Sequence, residues 1–158
     1  MIKSRTMFMF FIILLFLSLF FSFDKINKLI AQNQAKNTIE SAFYFKNNKD
    51  VESLKNVYSD RYSYSFFKLE NINKIDLIEI KLLKNEKNYN IYYNYGRGRI
   101  NNVDRKNLII FKVKYNIEYK DQKIEPVDSG IYEVAYFLIK ENNTGNWKID
   151  DVGQDYYE

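Results

Sequence analysis

The sequence predicts an α+β protein: an N-terminal membrane helix, then two amphipathic helices packed on a curved antiparallel sheet of four to five strands. Residues 7–23 contain no charged side chain, and residues 24–58 carry apolar side chains at helical spacing. From residue 75 onward, apolar and polar side chains alternate as they do in strands. We therefore expect a signal anchor or signal peptide over residues 1–23 and a single extracytoplasmic domain over residues 24–158.

The predicted membrane segment is Met7–Phe23, which follows the basic residues Lys3 and Arg5. A helix through this run would be about 25 Å long, at the short end of what spans a bilayer. A cleaved signal peptide shares the basic start and the apolar core, but the small residues of a cleavage site are poorly matched around Phe20–Phe23. A buried core helix is a third interpretation. We expect an uncleaved, single-pass anchor with the C-terminal domain outside the cell membrane; cleavage would make the domain a secreted one.

Two amphipathic helices are predicted after this segment. The first runs from Asp24 to Lys46, and the polar Asn47–Lys49 stretch ends it. Asp50 then caps a second, shorter helix. The apolar stripe of the first helix comprises Ile26, Leu29, Ile30, Ile39, Ala42 and Phe43, and that of the second comprises Val51, Leu54, Val57 and Tyr58.

The remaining chain predicts an antiparallel sheet. The expected strands are residues 75–84, 91–95, 108–120, 131–139 and a last strand that starts at Trp147. Ile78, Ile80 and Leu82 should share one face of the first strand, and Tyr93 and Tyr95 one face of the second. The odd positions of residues 108–120 are apolar and most even ones charged, whereas residues 131–139 are apolar on both faces, as in a central strand. Turns are expected at Asn85–Asn88, Gly96–Arg99 and Asn142–Asn146.

Two stretches resemble a known family. Lys49-Asp50-Val51-Glu52-Ser53-Leu54, after its polar break, resembles the second helix of the nuclear-transport-factor-two-like superfamily, whose members form an α+β cone. The C-terminal part, from Gly130-Ile131-Tyr132 to Trp147-Lys148-Ile149-Asp150-Asp151-Val152-Gly153, is similar to a bacterial branch of it, the domain of unknown function 4829. That branch occurs in small secreted or anchored proteins of low-GC Gram-positive bacteria. The resemblance covers about residues 30–155 and implies a fold without an activity, because such cones host isomerases, dehydratases and non-catalytic modules.

The composition excludes several kinds of chemistry. The chain contains no His and no Cys, so catalytic triads, thiol nucleophiles and nitrogen or sulfur metal ligands are unavailable. Its acidic residues Asp60, Asp150, Asp151, Asp155 and Glu158 are scattered and do not form a calcium loop. We expect no cofactor and no metal, and the lack of a recognisable catalytic set favours a non-catalytic protein over an enzyme. With 24 basic and 20 acidic residues the charge is close to balanced, so we expect no nucleic-acid partner.

Two sets of residues are candidate contacts for a ligand or partner. The first consists of aromatic residues expected to point inward, which would otherwise be core residues: Tyr93, Tyr95, Tyr115 and Trp147. The second consists of basic residues around one polar loop, which could contact an anion such as a lipid head group or simply be solvated: Arg97, Arg99, Arg105 and Lys106.

These features predict a membrane-anchored, non-catalytic binding or scaffold module of the cell envelope, with a protein or envelope component as its partner. One alternative is a small-molecule-binding or isomerase-like enzyme that uses the cone interior and contains a perturbed carboxylate. Others are a component of a conjugative secretion machine, whose assembly factors include related cones, and an inhibitory protein such as an immunity factor.

Overall fold

The computed structural model describes residues 2–60, 68–141, 145–154 and 156–158. The chain divides into two compact units, Met1–Asn33 and Gln34–Glu158. The α+β class is confirmed, because four antiparallel strands and several helices make up the structure.

The described residues of the first unit, 2–33, belong to helix α1 (Ile2–Asn48). Its described apolar side chains are exposed along the whole predicted membrane segment: Met9, Phe10, Ile12, Ile13, Leu14, Phe16, Leu19, Phe20, Phe21 and Phe23. The side chains of residues 1–8, 11, 15 and 17 lie outside the described part. Among the residues that are described, we find no helix with the length and apolar character needed to cross a membrane. The membrane helix therefore stays a prediction.

Among the described side chains of α1, the buried ones lie in the second unit, where Ala35, Ile39, Ala42 and Phe43 are part of the core. The predicted apolar stripe is confirmed for its last three members. It is wrong for Ile26, Leu29 and Ile30, which are exposed because the described residues of the first unit belong to a single helix, which provides no core of its own to pack against.

The break between the two helices matches the prediction. Lys49 has a left-handed backbone (φ 58°) directly after α1, and Asp50 caps α2 (Val51–Val57) by accepting a 3.0 Å hydrogen bond from the Ser53 amide. Tyr58 then forms a parallel bridge to Ile149 of the last strand. The second helix is therefore fixed to the edge of the sheet.

The sheet has the order β1-β2-β3-β4, with antiparallel neighbours throughout. Its strands are β1 (Ile72–Leu82), β2 (Leu108–Tyr119), β3 (Gly130–Lys140) and β4 (Trp147–Gly153). The prediction of residues 131–139 as a central strand is confirmed. The hairpin between β3 and β4 is confirmed by the pairing of Lys140 with Trp147, although residues 142–144 lie outside the described residues.

The predicted strand over residues 91–95 is wrong. These residues largely belong to helix α3 (Glu86–Asn94), which Asn85 caps by accepting a hydrogen bond from the Lys87 amide, so Asn85–Asn88 is a helix start and not a turn. Isoleucine and tyrosine favour strands, but the buried residues of this segment are Asn88, Tyr89 and Tyr92, and the two tyrosines lie three positions apart, as on one face of a helix. A four-residue helix, α4 (Gly98–Asn101), follows.

The predicted face of β1 is wrong at Ile78, whose side chain is 51% exposed. The register with β2 shifts between Leu77 and Glu79, which indicates a β-bulge at this point. A bulge exchanges the two faces of a strand, so the buried positions change from odd numbers (Ile75) to even ones (Ile80 is half-buried).

Both faces of the sheet are packed. On the first, Phe43 of α1 contacts Tyr115 and Tyr136, with ring centroids 5.4 and 6.2 Å apart respectively. The second carries a separate cluster of buried residues: Leu83, Tyr89, Tyr92, Val103, Leu108, Ile110, Ala135, Phe137 and Ile139. Strand β2 is therefore buried on both faces over residues 108–113, where the sequence predicted one apolar face.

The side chain of Asn47 links α1 to the edge strand β1. Its Nδ2 donates to the Ile75 carbonyl oxygen (2.6 Å), and its Oδ1 accepts from the Ile75 amide (2.8 Å). The amide thereby satisfies both backbone groups of Ile75, as a neighbouring strand would.

We expect Asn47→Ala to lower the free energy of unfolding by about 1–2 kcal/mol, because both backbone groups of Ile75 lose their partner. The measurement is urea unfolding of the full chain in mild detergent. Asn48→Ala is the matched control, since its side-chain amide donates to the carbonyl of the exposed Tyr44, and we expect a change within about 0.5 kcal/mol. Equal losses in the two variants would contradict the proposed link.

Candidate functional site

A fully buried carboxylate, Asp150, lies in strand β4. The register between β3 and β4 shifts here, since Phe137 pairs with Asp151 while Leu138 pairs with Ile149. Asp150 is therefore the extra residue of a β-bulge. Bulges redirect a side chain from its regular position, and this one places a charged group inside the fold.

Three segments distant in sequence supply the partners of this carboxylate. Ser59 Oγ donates to Oδ1 at 2.6 Å, and the Tyr92 hydroxyl donates to Oδ2 at 2.7 Å. Arg97 Nε lies 3.6 Å from Oδ1 and forms an ion pair with it. A buried carboxylate requires such compensation. We call Asp150, Ser59, Tyr92 and Arg97 the Asp150 cluster.

Two glycines allow the chain to pass close to Tyr92. A Cβ on Gly98 would lie 2.6 Å from two carbons of the Tyr92 ring, and one on Gly96 would lie 3.0 Å from the Tyr92 carbonyl oxygen. The stretch Gly96–Arg99, which the sequence predicted to be a turn, is thus needed for packing around the cluster.

A second aspartate, Asp151, is half-buried beside the cluster and lines a cavity of about 170 Å³. Burial raises the pKa of its carboxyl above the ordinary value, while amides of Val152 and Arg97 act in the opposite direction. The negative charge of Asp150 also raises this pKa, and the Arg97 guanidinium lowers it. We call this space the Asp151 cavity; its other lining residues are Ile91, Tyr92, Tyr95, Gly96, Phe137, Gly153 and Gln154.

The structure does not bring the four predicted aromatic residues together. Tyr95 is 83% exposed and lines the Asp151 cavity, whereas the Tyr93 hydroxyl donates to the Val103 carbonyl. Tyr115 packs on the other face of the sheet, where α1 lies. Trp147 is buried, with Lys140 Nζ 5.3 Å from the ring centroid. Their role as ligand contacts stays a prediction.

Three of the four predicted basic residues, Arg97, Arg105 and Lys106, each pair with a different acidic residue. Arg97 belongs to the Asp150 cluster, while Arg105 bonds Glu86 at 2.8 Å and lies over the Tyr89 ring.

The other two basic residues lie at the surface. Lys106 is 3.7 Å from Asp104, and Arg99 is exposed on α4. Contact of this loop with an anion stays a prediction. The described residues contain no group of three or more acidic side chains that could hold a metal ion.

Asp150, Ser59 and Tyr92 were not predicted as a site. The sequence gives one signal for Asp150: it follows the buried Ile149 next to a second aspartate, where a strand would continue. That signal does not identify Ser59 or Tyr92, because neither is near it in sequence.

The fold and this cluster define the class of protein: a small α+β domain in which helices cover an antiparallel sheet. Its buried aspartate joins the last strand to helix α3 and to the stretches that follow α2 and α3. The chain belongs to the family described as Domain of unknown function (DUF4829), whose model matches residues 36–153. This confirms the family predicted from Trp147–Gly153, the segment that forms β4 and its bulge. Searches of the curated proteins and of the solved structures found no match. Membership of the wider cone superfamily stays a prediction.

Proposed function

We propose that the protein is a non-catalytic binding module of the cell envelope, held at the outer face of the membrane by Met7–Phe23. The observation that carries this proposal is the apolar, exposed surface of that helical segment. Leu14, Phe16 and Phe20 are exposed there together with every other described large apolar side chain of the segment. A helix that is apolar all round favours a lipid environment, since water would make contact with all of that surface.

The arrangement around Asp150 supports a binding role over catalysis. Asp150 is fully buried, and both of its carboxylate oxygens already accept hydrogen bonds, one from Ser59 and one from Tyr92. A general base must reach a proton of its substrate, which this carboxylate does not. The sheet face below α1 and α2 is filled with buried side chains, among them Ile39, Leu54, Val113, Leu138 and Ile149.

Single cysteines test the topology, because the chain contains none of its own. Asp128→Cys lies at an exposed position between β2 and β3, and Ser4→Cys lies before the apolar run. In intact bacterial cells, a membrane-impermeant maleimide should label Asp128→Cys and should label Ser4→Cys only after permeabilisation. Labelling of Ser4→Cys in intact cells would contradict the proposed orientation.

A charge within the apolar run tests the anchor itself. Leu14→Arg should release the protein from carbonate-washed membranes, because an arginine near the middle of a membrane helix costs about 2.5–3.5 kcal/mol. Leu29→Arg is the matched control outside the run and should leave the membrane fraction unchanged.

The mass of the mature protein distinguishes an uncleaved anchor from a cleaved signal peptide. An uncleaved chain has a mass of 19.1 kDa, whereas cleavage would leave a shorter form in the medium.

The partner in this proposal is a protein or another envelope component, and the assembly factors of a conjugative secretion machine are one such setting. Capture of the full chain from solubilised membranes, after cross-linking in cells, should retain a partner with the wild-type chain and lose it with Leu14→Arg. If the wild-type chain retained no partner under conditions that preserve known envelope complexes, this result would count against a scaffold role.

A further inference from the structure

Residues 156–158, which we call the tail, follow strand β4 and lie against helix α3 and strand β2. The surface that holds them is the tail groove, and its contacting side chains include Asn85, Asn88 and Lys112. We infer that this groove binds an extended acidic segment of a partner protein, and that the tail occupies it within the same chain. The inference rests on the proposed binding role and names the surface that performs it.

The groove holds the tail through its main chain. Asn88 is fully buried; its Nδ2 donates to the Tyr157 carbonyl oxygen at 2.6 Å, and its Oδ1 accepts from the Tyr157 amide at 2.7 Å. Asn85 Nδ2 donates to the main-chain oxygen of Glu158 at 3.0 Å. Because nearly every residue type carries these main-chain groups, the same asparagines can hold the backbone of another extended segment.

The side chains of the tail add limited burial to this attachment. Tyr157 is 48% exposed, with Lys87 Nζ 4.8 Å from its ring centroid, and the Glu158 side chain is 60% exposed. Tyr156 is partly buried, and its hydroxyl donates to Glu133 at 3.3 Å. A segment held mainly by polar contacts opens more readily than a core strand, so the tail can give way to a competing segment.

The charges of the groove favour an acidic residue at the position of Glu158. Lys81 of β1 and Lys112 of β2 are directly opposed in the sheet, where like charges disfavour pairing. The Glu158 carboxylate accepts a hydrogen bond from Lys112, and the positive charges of Lys112 and Lys81 lower the pKa of this carboxyl. Lys112 also pairs with Glu133 at 3.4 Å. If the tail leaves, a carboxylate of another segment can take the place of Glu158 beside both lysines.

An open cavity of about 550 Å³ adjoins the tail and extends the groove. Its lining residues are Lys81, Leu82, Leu83, Lys84, Asn85 and Glu158. It has room for about 18 heavy atoms, or about two amino-acid residues, at the ~30 Å³ that one water molecule occupies in the liquid. An acidic segment longer than the tail would fill this cavity beside Lys81 and Lys84. These added contacts would allow it to displace the tail.

The test is a titration of the full chain in detergent micelles with a fluorescent peptide of residues 154–158, extended by two glutamates. Tyr157→Pro should free the groove, because proline lacks the N–H that Asn88 accepts. We expect this variant to bind the peptide about tenfold more tightly than the wild type, whose own tail competes at an effective concentration on the order of mM. Glu158→Lys, which removes the ion pair with Lys112, should also increase the affinity.

Two further substitutions, each made in the Tyr157→Pro chain, locate the bound peptide. Asn88→Ala should weaken binding about tenfold through loss of both main-chain bonds, whereas Asn90→Ala, at an exposed position of the same helix, should leave the affinity unchanged. Lys81→Glu should also weaken binding about tenfold, because it repels the acidic peptide. Lys123→Glu changes an exposed lysine elsewhere and should have no effect.

Three results would overturn the inference. The first is equal affinity of the wild type and both tail variants, and the second is unchanged binding after Asn88→Ala. The third is a dimer of the wild-type chain that the peptide dissociates, because the groove would then hold the tail of a second copy. If the peptide failed to bind while the wild-type chain still captured a partner from membranes, the proposed function would stand and the partner would use another surface.

Discussion

Asp150→Ala is expected to lower the free energy of unfolding of the Gln34–Glu158 unit by about 3–5 kcal/mol, the range for removing one member of a buried charged pair. The substitution removes the carboxylate that accepts hydrogen bonds from the Ser59 and Tyr92 hydroxyls and that pairs with the Arg97 guanidinium. Urea unfolding can be followed through the fluorescence of Trp147, the one tryptophan of the chain, which is 4% exposed.

Asp60→Ala is the control for this result. The Asp60 side chain is 84% exposed and pairs with Lys148 at 3.1 Å, a surface ion pair whose loss should cost less than about 1 kcal/mol. If Asp150→Ala destabilised the chain no more than Asp60→Ala, the Asp150 cluster would not be the stabilising centre that its geometry indicates.

Gly98→Ala is expected to cost about 1–3 kcal/mol, as overpacking of a well-filled core does. The added Cβ would lie 2.6 Å from the Tyr92 ring and 2.8 Å from the Tyr92 carbonyl oxygen, so backbone or ring must move. Movement of the ring disturbs its hydroxyl bond to Asp150, and the measurement is the same urea unfolding experiment.

Gly153→Ala is the matched control on the other side of the cluster. The nearest atom to its added Cβ is 3.9 Å away, an ordinary van der Waals distance, so the free energy of unfolding should change by no more than about 0.5 kcal/mol. If Gly98→Ala and Gly153→Ala lowered the free energy of unfolding by comparable amounts, the loss of glycine flexibility, and not the lack of space beside the Tyr92 ring, would determine the destabilisation.

Local patterns were sufficient to predict much of the fold. The Asp50 cap depends on a residue three positions away, and the central strand β3 depends on its own run of apolar residues. Helix α3 was not predicted, because its isoleucine and tyrosines favour a strand and contact with the sheet determines the helix instead. The bulge at Ile78 depends on the register between β1 and β2. This register is a property of the paired strands and cannot be predicted from the sequence of one strand alone.

The candidate site could not be predicted for a related reason. Asp150 lies 91 positions from Ser59 and 58 from Tyr92, so no spacing rule connects them. The bulge at Asp150 also changes the direction of its side chain. The alternation of apolar and polar residues along the strand therefore does not predict on which face of the sheet this side chain lies. The closing Trp147–Gly153 motif correctly identified the family, but its physical role became apparent only from these contacts.

The separation of these contacts along the chain has a consequence for the order of folding. The Ser59 and Tyr92 hydroxyls receive their acceptor only when β4, the last strand, is in place. A chain that is synthesised from its N-terminus cannot complete this buried cluster until β4 is available. Contacts between residues so far apart in sequence also form slowly. A polypeptide that is threaded across a bilayer must remain unfolded during transit, and late closure of the domain by its final strand is compatible with that route.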